Sequence, residues 1–200
     1  MGLFYANLTV YRPTRTALLT ELRRLRREAF VSPTFHGHTV VFDEAIEEQD
    51  TGAIEQIGQA VTAALSCSAL ASVLHDDDVL YLWLFQNGRV CDHYDSCPAY
   101  FDPNAEPGPP AGGNAKLICR AFGRAERQQR VEQLLRANLL EGELPDVPGE
   151  LERHTALAAE LGMPPFVAGV CYSSIAGNYV PKEFIPPEFE GMTFEAVNPA

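Results

Sequence analysis

The 200-residue sequence predicts an α+β fold: a mixed or antiparallel sheet in the order β-α-β-α-β-β-β, helices packed on it, and a helical C-terminal half. Three observations carry this. Short runs rich in aromatic and β-branched residues recur through the first half, as strands do. Two stretches between them repeat apolar residues every three or four positions, the period of a helix. Asn87-Gly88 then joins two apolar runs directly. That dipeptide is a strong hairpin signal, because a type I′ turn needs positive φ at both positions.

In chain order, residues 3–11 ("LFYANLTVY") read as a strand. Pro13 and Thr14 open a helix whose stripe is Leu18, Leu22, Leu25 and Ala29, with Arg15, Arg23, Arg24, Arg26 and Arg27 largely off it. Residues 38–44 form the next strand. Asp50 or Thr51 then caps a helix over 50–66 with Ile54, Ile57, Val61 and Leu65 inward. Strands follow near 69–74, 79–86 and 89–95. Residues 79–86 are apolar on both faces, which places that strand centrally with cover on both sides. A Pro/Gly-rich loop spans 98–115. Helices are expected near 114–122, 125–138 and 149–161, the last stopped by Gly162 and Pro164. Residues 166–174 can add a strand. The Pro-rich tail from about 180 should lie extended over the surface. Three segments result: a sheet domain over 1–97, the loop, and a mostly helical part over 116–200 packing on the same core.

Composition narrows the function classes. The net charge is −12. Nucleic acid is excluded as a partner on that ground, because neutralising phosphates supplies most of such affinity. No apolar run approaches the ~20 residues of a membrane span, so no membrane partner is expected. The N-terminus lacks the basic region and cleavage site of a secretory signal. Five cysteines without scaffold spacing then fit reduced thiols in a cytoplasm. Arg outnumbers Lys 13 to 2, and no mechanism follows from that ratio.

The stretch "HDDDVLYLWLFQNGRVCDHYDSC" (75–97) concentrates the chemistry. A two-residue turn at Asn87-Gly88 sets Leu84 opposite Cys91, Leu82 opposite His93, Leu80 opposite Asp95 and Asp78 opposite Cys97. A symmetric reversal at 75–78 sets His75 opposite Asp78. Directly opposed residues share a face, and strands lie ~4.8 Å apart. His75, Asp78 and Cys97 then form one row, with Asp95 beside it and His93 near. Sulfur, imidazole and carboxylate together suit zinc or another divalent ion. They also suit a thiolate paired with a His that an Asp orients. The spacing matches no common zinc pattern. The plainer reading is a solvated Asp turn with Cys91 and His93 on a sheet face.

Other features stand against plainer readings too. His36 and His38 can form a metal pair or simply lead into a strand. Asp43, Glu44, Glu47 and Glu48 can face a basic partner, or feed a helix N-terminus where negative charge is favourable. The Arg face of the first helix can meet phosphate or an acidic partner; a solvated face is the default. "GGNAK" (112–116) offers N–H groups to an anion without the core of a phosphate loop. "GVCYSS" around Cys171 lacks the second Gly of a nucleophile elbow.

The expectation is a small, acidic, cytoplasmic binding protein that recognises another protein, of inhibitor, immunity or regulatory type, and needs no cofactor. The alternative is a metal-dependent hydrolase or metal-stabilised domain in which His75, Asp78, His93, Asp95 and Cys97 hold a divalent metal such as zinc. Asp43, Glu44, Glu47 and Glu48 are the expected partner-binding residues.

Overall fold

The computed structural model describes residues 2–105, 108–180, 184–185, 187–189 and 191–198. The chain begins with β1 (Tyr5–Tyr11), α1 (Arg15–Arg24), β2 (Ala29–Val31), β3 (His38–Asp43), α2 (Glu44–Glu47) and α3 (Thr51–Leu65). The meander β4 (Ser68–His75), β5 (Val79–Gln86), β6 (Arg89–Asp95) follows, then β7 (Ala111–Gly112) and α4 (Ala115–Ala121). Last come α5 (Gln128–Arg136), α6 (Glu150–Leu161), α7 (Tyr172–Ala176) and β8 (Glu195–Val197). Among the described residues the strands form one antiparallel sheet in the order β7-β6-β5-β4-β1-β3-β2-β8.

Local chemistry explains the boundaries. Thr14 caps α1, its hydroxyl accepting from the Ala17 N–H at 3.2 Å, as short polar side chains do at helix starts. Asp50 caps α3 through the Gly52 N–H at 2.8 Å, and Ser66 ends that helix in the left-handed conformation. The expected hairpin forms, with Asn87 at φ 48° and Gly88 at φ 78°. A second two-residue hairpin, unexpected from the sequence, is made by His36 and Gly37 at φ 46° and 84°. Phe35 and His38 exchange both backbone hydrogen bonds across it at 2.7 Å.

Helices cover both faces of the sheet. On one face Leu18 and Leu22 of α1 and Ile54, Ile57 and Val61 of α3 pack against Leu8, Val10, Ala71 and Phe85. On the other, Ile118, Leu134 and Leu157 from α4, α5 and α6 pack against Leu70, Leu82, Leu84 and Tyr94. Both faces of β5 are therefore buried, and it lies between β4 and β6 as expected.

Three expectations change. Ala29 belongs to β2, not to the first helical stripe. Residues 166–174 are no strand: Pro165–Val167 is a 3₁₀ turn, Gly169 sits at φ 92°, and α7 starts at Tyr172. A positive φ breaks any extended path. The tail expected to lie extended contributes β8, the eighth strand, against β2. Residues 181–183, 186, 190 and 199–200 of that tail lie outside the described residues.

Candidate functional site

Two one-residue departures reshape the 75–97 stretch. The loop between β4 and β5 holds three residues, so His75 faces Val79 rather than Asp78. Asp76 and Asp77 take φ of 55° and 63° there, a conformation Asp tolerates better than most residues. Their carboxylates accept from the Gly2 and Leu3 N–H groups at 2.9 and 3.0 Å. In β6 the register shifts between Leu84 and Phe85, leaving Cys91 as the extra residue of a β-bulge. Beyond the bulge His93 faces Trp83 and Asp95 faces Tyr81, instead of Leu82 and Leu80.

Because side chains alternate, each slip moves them to the opposite face. The expected row therefore does not form. His75, His93 and Asp95 lie on the α3 face of the sheet, whereas Cys97 and Asp78 line a cleft toward α6. Tyr100 stands between them: its hydroxyl donates to Asp78 at 3.0 Å, and its ring meets His75 edge-on with centroids 5.9 Å apart. Asp95 accepts from the Cys97 N–H at 2.9 Å. Among the described residues, no three His, Cys, Asp or Glu side chains come together in a way that can hold a metal ion.

Each side of Tyr100 holds a hollow. The first, of about 510 Å³, is lined by Tyr81 and Trp83 of β5, His93 of β6, His75 of β4, Phe101 and Glu48. The Trp83 and His93 rings lie 4.8 Å apart, and Tyr81 stacks near His93 at 6.4 Å and 19°. Gln49 orients His75. Its amide nitrogen donates to the Leu74 carbonyl at 2.9 Å, so its oxygen faces His75 Nδ1 at 2.7 Å and that nitrogen carries the proton. Burial and Asp95 push the Tyr81 hydroxyl up to about 12, so it stays a neutral phenol.

The second hollow, of about 520 Å³, is lined by Asp78, Cys97, Tyr100, Asp102, Glu150 and Arg153. Arg153 is buried and donates to the Tyr94 hydroxyl at 2.7 Å and to the carbonyls of Leu134 and Ala137 at 2.6 and 2.8 Å. It thereby satisfies carbonyls left open at the end of α5. Glu150 lies 2.9 Å from Arg153 Nε, yet burial pushes its carboxyl up to about 7. Burial and the neighbouring Asp95 and Glu150 also raise the Cys97 thiol. A thiol held protonated, with His75 beyond Tyr100, is not an activated nucleophile.

The acidic stretch divides. Asp43 is fully buried: it accepts from Arg27 at 2.8 and 2.6 Å and caps α2 through the Ala45 and Ile46 N–H groups. It is not a partner-facing residue, because its carboxylate is spent inside the fold. Glu47 accepts from the Ser173 N–H at 2.7 Å. Glu44 and Glu48 are exposed, and Glu48 rims the aromatic hollow.

The remaining candidates are absorbed by the fold. His38 is buried between Tyr11 and Phe122, and burial lowers its pKa to about 4, while His36 is exposed against Phe35. Arg15 and Arg23 of the α1 face pair with Glu195 of β8 at 3.6 and 3.1 Å. At "GGNAK" the Asn114 N–H donates to Asp92 and the Asn114 side chain caps α4. Sequence reasoning missed Tyr81, Trp83, Tyr100 and Phe101 as site residues. Tyr81 and Trp83 read as core, and the only signal for the others was two aromatics in a Pro-rich loop. No known protein family, curated protein or solved structure matches the chain.

Proposed function

We propose that this chain is a protein-recognition module of inhibitor, immunity or regulatory type, acting in a cytoplasm, that binds a basic partner over the surface around β5, β6 and the α2–α3 loop. The observation that supports it best is the aromatic hollow, where Tyr81, Trp83, His93 and Phe101 open beside Glu48 and, among the described residues, no Lys or Arg lines the space. Buried aromatic anchors ringed by polar groups carry most of the binding energy at protein interfaces. The net charge of −12 adds long-range steering toward a basic surface. Glu44 and Glu48 serve that contact, whereas Asp43 and Glu47 hold the fold. No helix among the described residues is long and apolar enough to cross a membrane.

A display selection tests the reading. Random peptides are selected on the purified chain and, in parallel, on the double variant Glu48→Arg, Phe101→Ala. Basic sequences should be enriched on the wild type alone. Their association should slow several-fold between low and moderate salt, because exposed charges are screened over ~8–10 Å at physiological ionic strength. Equal enrichment on both proteins, or association indifferent to salt, sinks it.

A further inference from the structure

We propose that the hollow between β5, β6 and the α2–α3 loop is an anchor pocket for one arginine side chain of the partner. This rests on the protein-recognition reading and names the group that is recognised.

The pocket is built rather than incidental. Tyr81 and Trp83 sit two residues apart on one face of β5, with His93 directly across from Trp83. Their centroids lie 5.9, 4.8 and 6.4 Å apart, so three rings crowd one wall. Trp83 is only 6% exposed, which pins its ring in place. Phe101, at 66% exposed, lines the same hollow, its ring centroid 5.1 Å from that of His75. The ring faces carry partial negative charge, which attracts a cation. Among the described residues, Glu48 is the one Asp, Glu, Lys or Arg side chain lining the hollow, and it is an acceptor. The Gln49 amide is already committed to Leu74 and His75. What the space offers is therefore flat π surface and one carboxylate. An anion is repelled. A guanidinium fits better than an ammonium, because it is planar, stacks on rings, presents several donors and is more weakly hydrated. A volume of about 510 Å³ lies within the range of side-chain and small-ligand sites.

Trp83 is the only tryptophan in the chain, so its fluorescence reports on this pocket. The full chain is titrated with arginine blocked at both ends, and with the equivalent blocked lysine and citrulline, at constant ionic strength. Arginine should give a saturating change in Trp83 emission, lysine should bind at least about threefold more weakly, and neutral citrulline should give none. Glu48→Gln and Phe101→Ala should each weaken arginine binding about fivefold while leaving the melting temperature unchanged, since both side chains are exposed. No saturable signal, citrulline or lysine binding as tightly, or both variants binding like wild type overturns the proposal. Enrichment of basic peptides without an arginine-dependent signal removes the pocket and leaves the recognition reading. An arginine signal with no peptide enriched does the reverse.

Discussion

Asp43 shows how much one side chain can hold. Its carboxylate takes the Arg27 guanidinium in two bonds and caps α2 in the same place. Asp43→Ala removes both functions and should destabilise by about 3 kcal/mol or more, since breaking a buried ion pair leaves a charge uncompensated. Asp43→Asn keeps a capping oxygen and should recover about 1 kcal/mol of that. Urea unfolding of the two variants checks this; equal losses would mean the cap contributes nothing. His38 and His154 make a second prediction. Burial lowers both to about 4, against 6.5 when unfolded. Between those values the unfolded chain binds more protons, so stability falls as pH drops through that window. Each full shift is on the order of 3 kcal/mol. Glu150 opposes them: raised to about 7 from 4.5, it gains stability as pH falls through its own window. Two imidazoles outweigh one carboxyl, so the chain should be less stable at pH 4.5 than at pH 7. His38→Phe should flatten that difference, and an unchanged difference would count against the assignment.

Elements meet at contacts too close for ordinary side chains. Gly58 lies in α3 where the helix crosses β5, and a Cβ there would sit 2.5 Å from the buried Phe85 ring. Alanine gains roughly 1 kcal/mol over glycine within a helix. Overpacking a buried ring costs typically ~1–3 kcal/mol. Gly58→Ala should therefore lower the melting temperature despite its better propensity; a rise would show that α3 can shift outward. The bulge at Cys91 is the other telling element feature. It leaves Cys91 exposed and unpaired in the ladder while returning Tyr94 to the face it shares with Leu82. The burial of Tyr94 in the α6-side core is what selects that register.

At the scale of the molecule, one sheet separates two cores, and the cysteines sample the whole range of burial. All five are free thiols. Alkylation of the native protein should label Cys91 first, because it is exposed. Cys67 and Cys119 should lag, since burial pushes both up to about 11 and leaves little thiolate. Mass spectrometry of a timed reaction reads this order, and early labelling of Cys119 would place α4 wrongly in the fold. Denatured without reductant, the chain should yield five thiols.

Much of this fold is written in local periodicity. The alternation of 79–86, the Asn87-Gly88 pair and the stripe Ile54, Ile57, Val61 each depend on nearby residues alone, and each reappears where the pattern puts it. The α+β class follows from the same signals. The site was not legible in that way. The face taken by His93 and Asp95 turned on a single extra residue at Cys91, and that of His75 on a three-residue loop in place of two. A strand has a period of two, so one insertion inverts everything beyond it, and no local propensity records that choice. The burial of Tyr94 against helices far along the chain makes it. Nor can composition tell that Asp43 is consumed by Arg27 while Glu48 stays open, or that Phe101 swings beside His75. Those outcomes depend on contacts between residues distant in sequence, which exist only once the sheet and its two helical layers have closed.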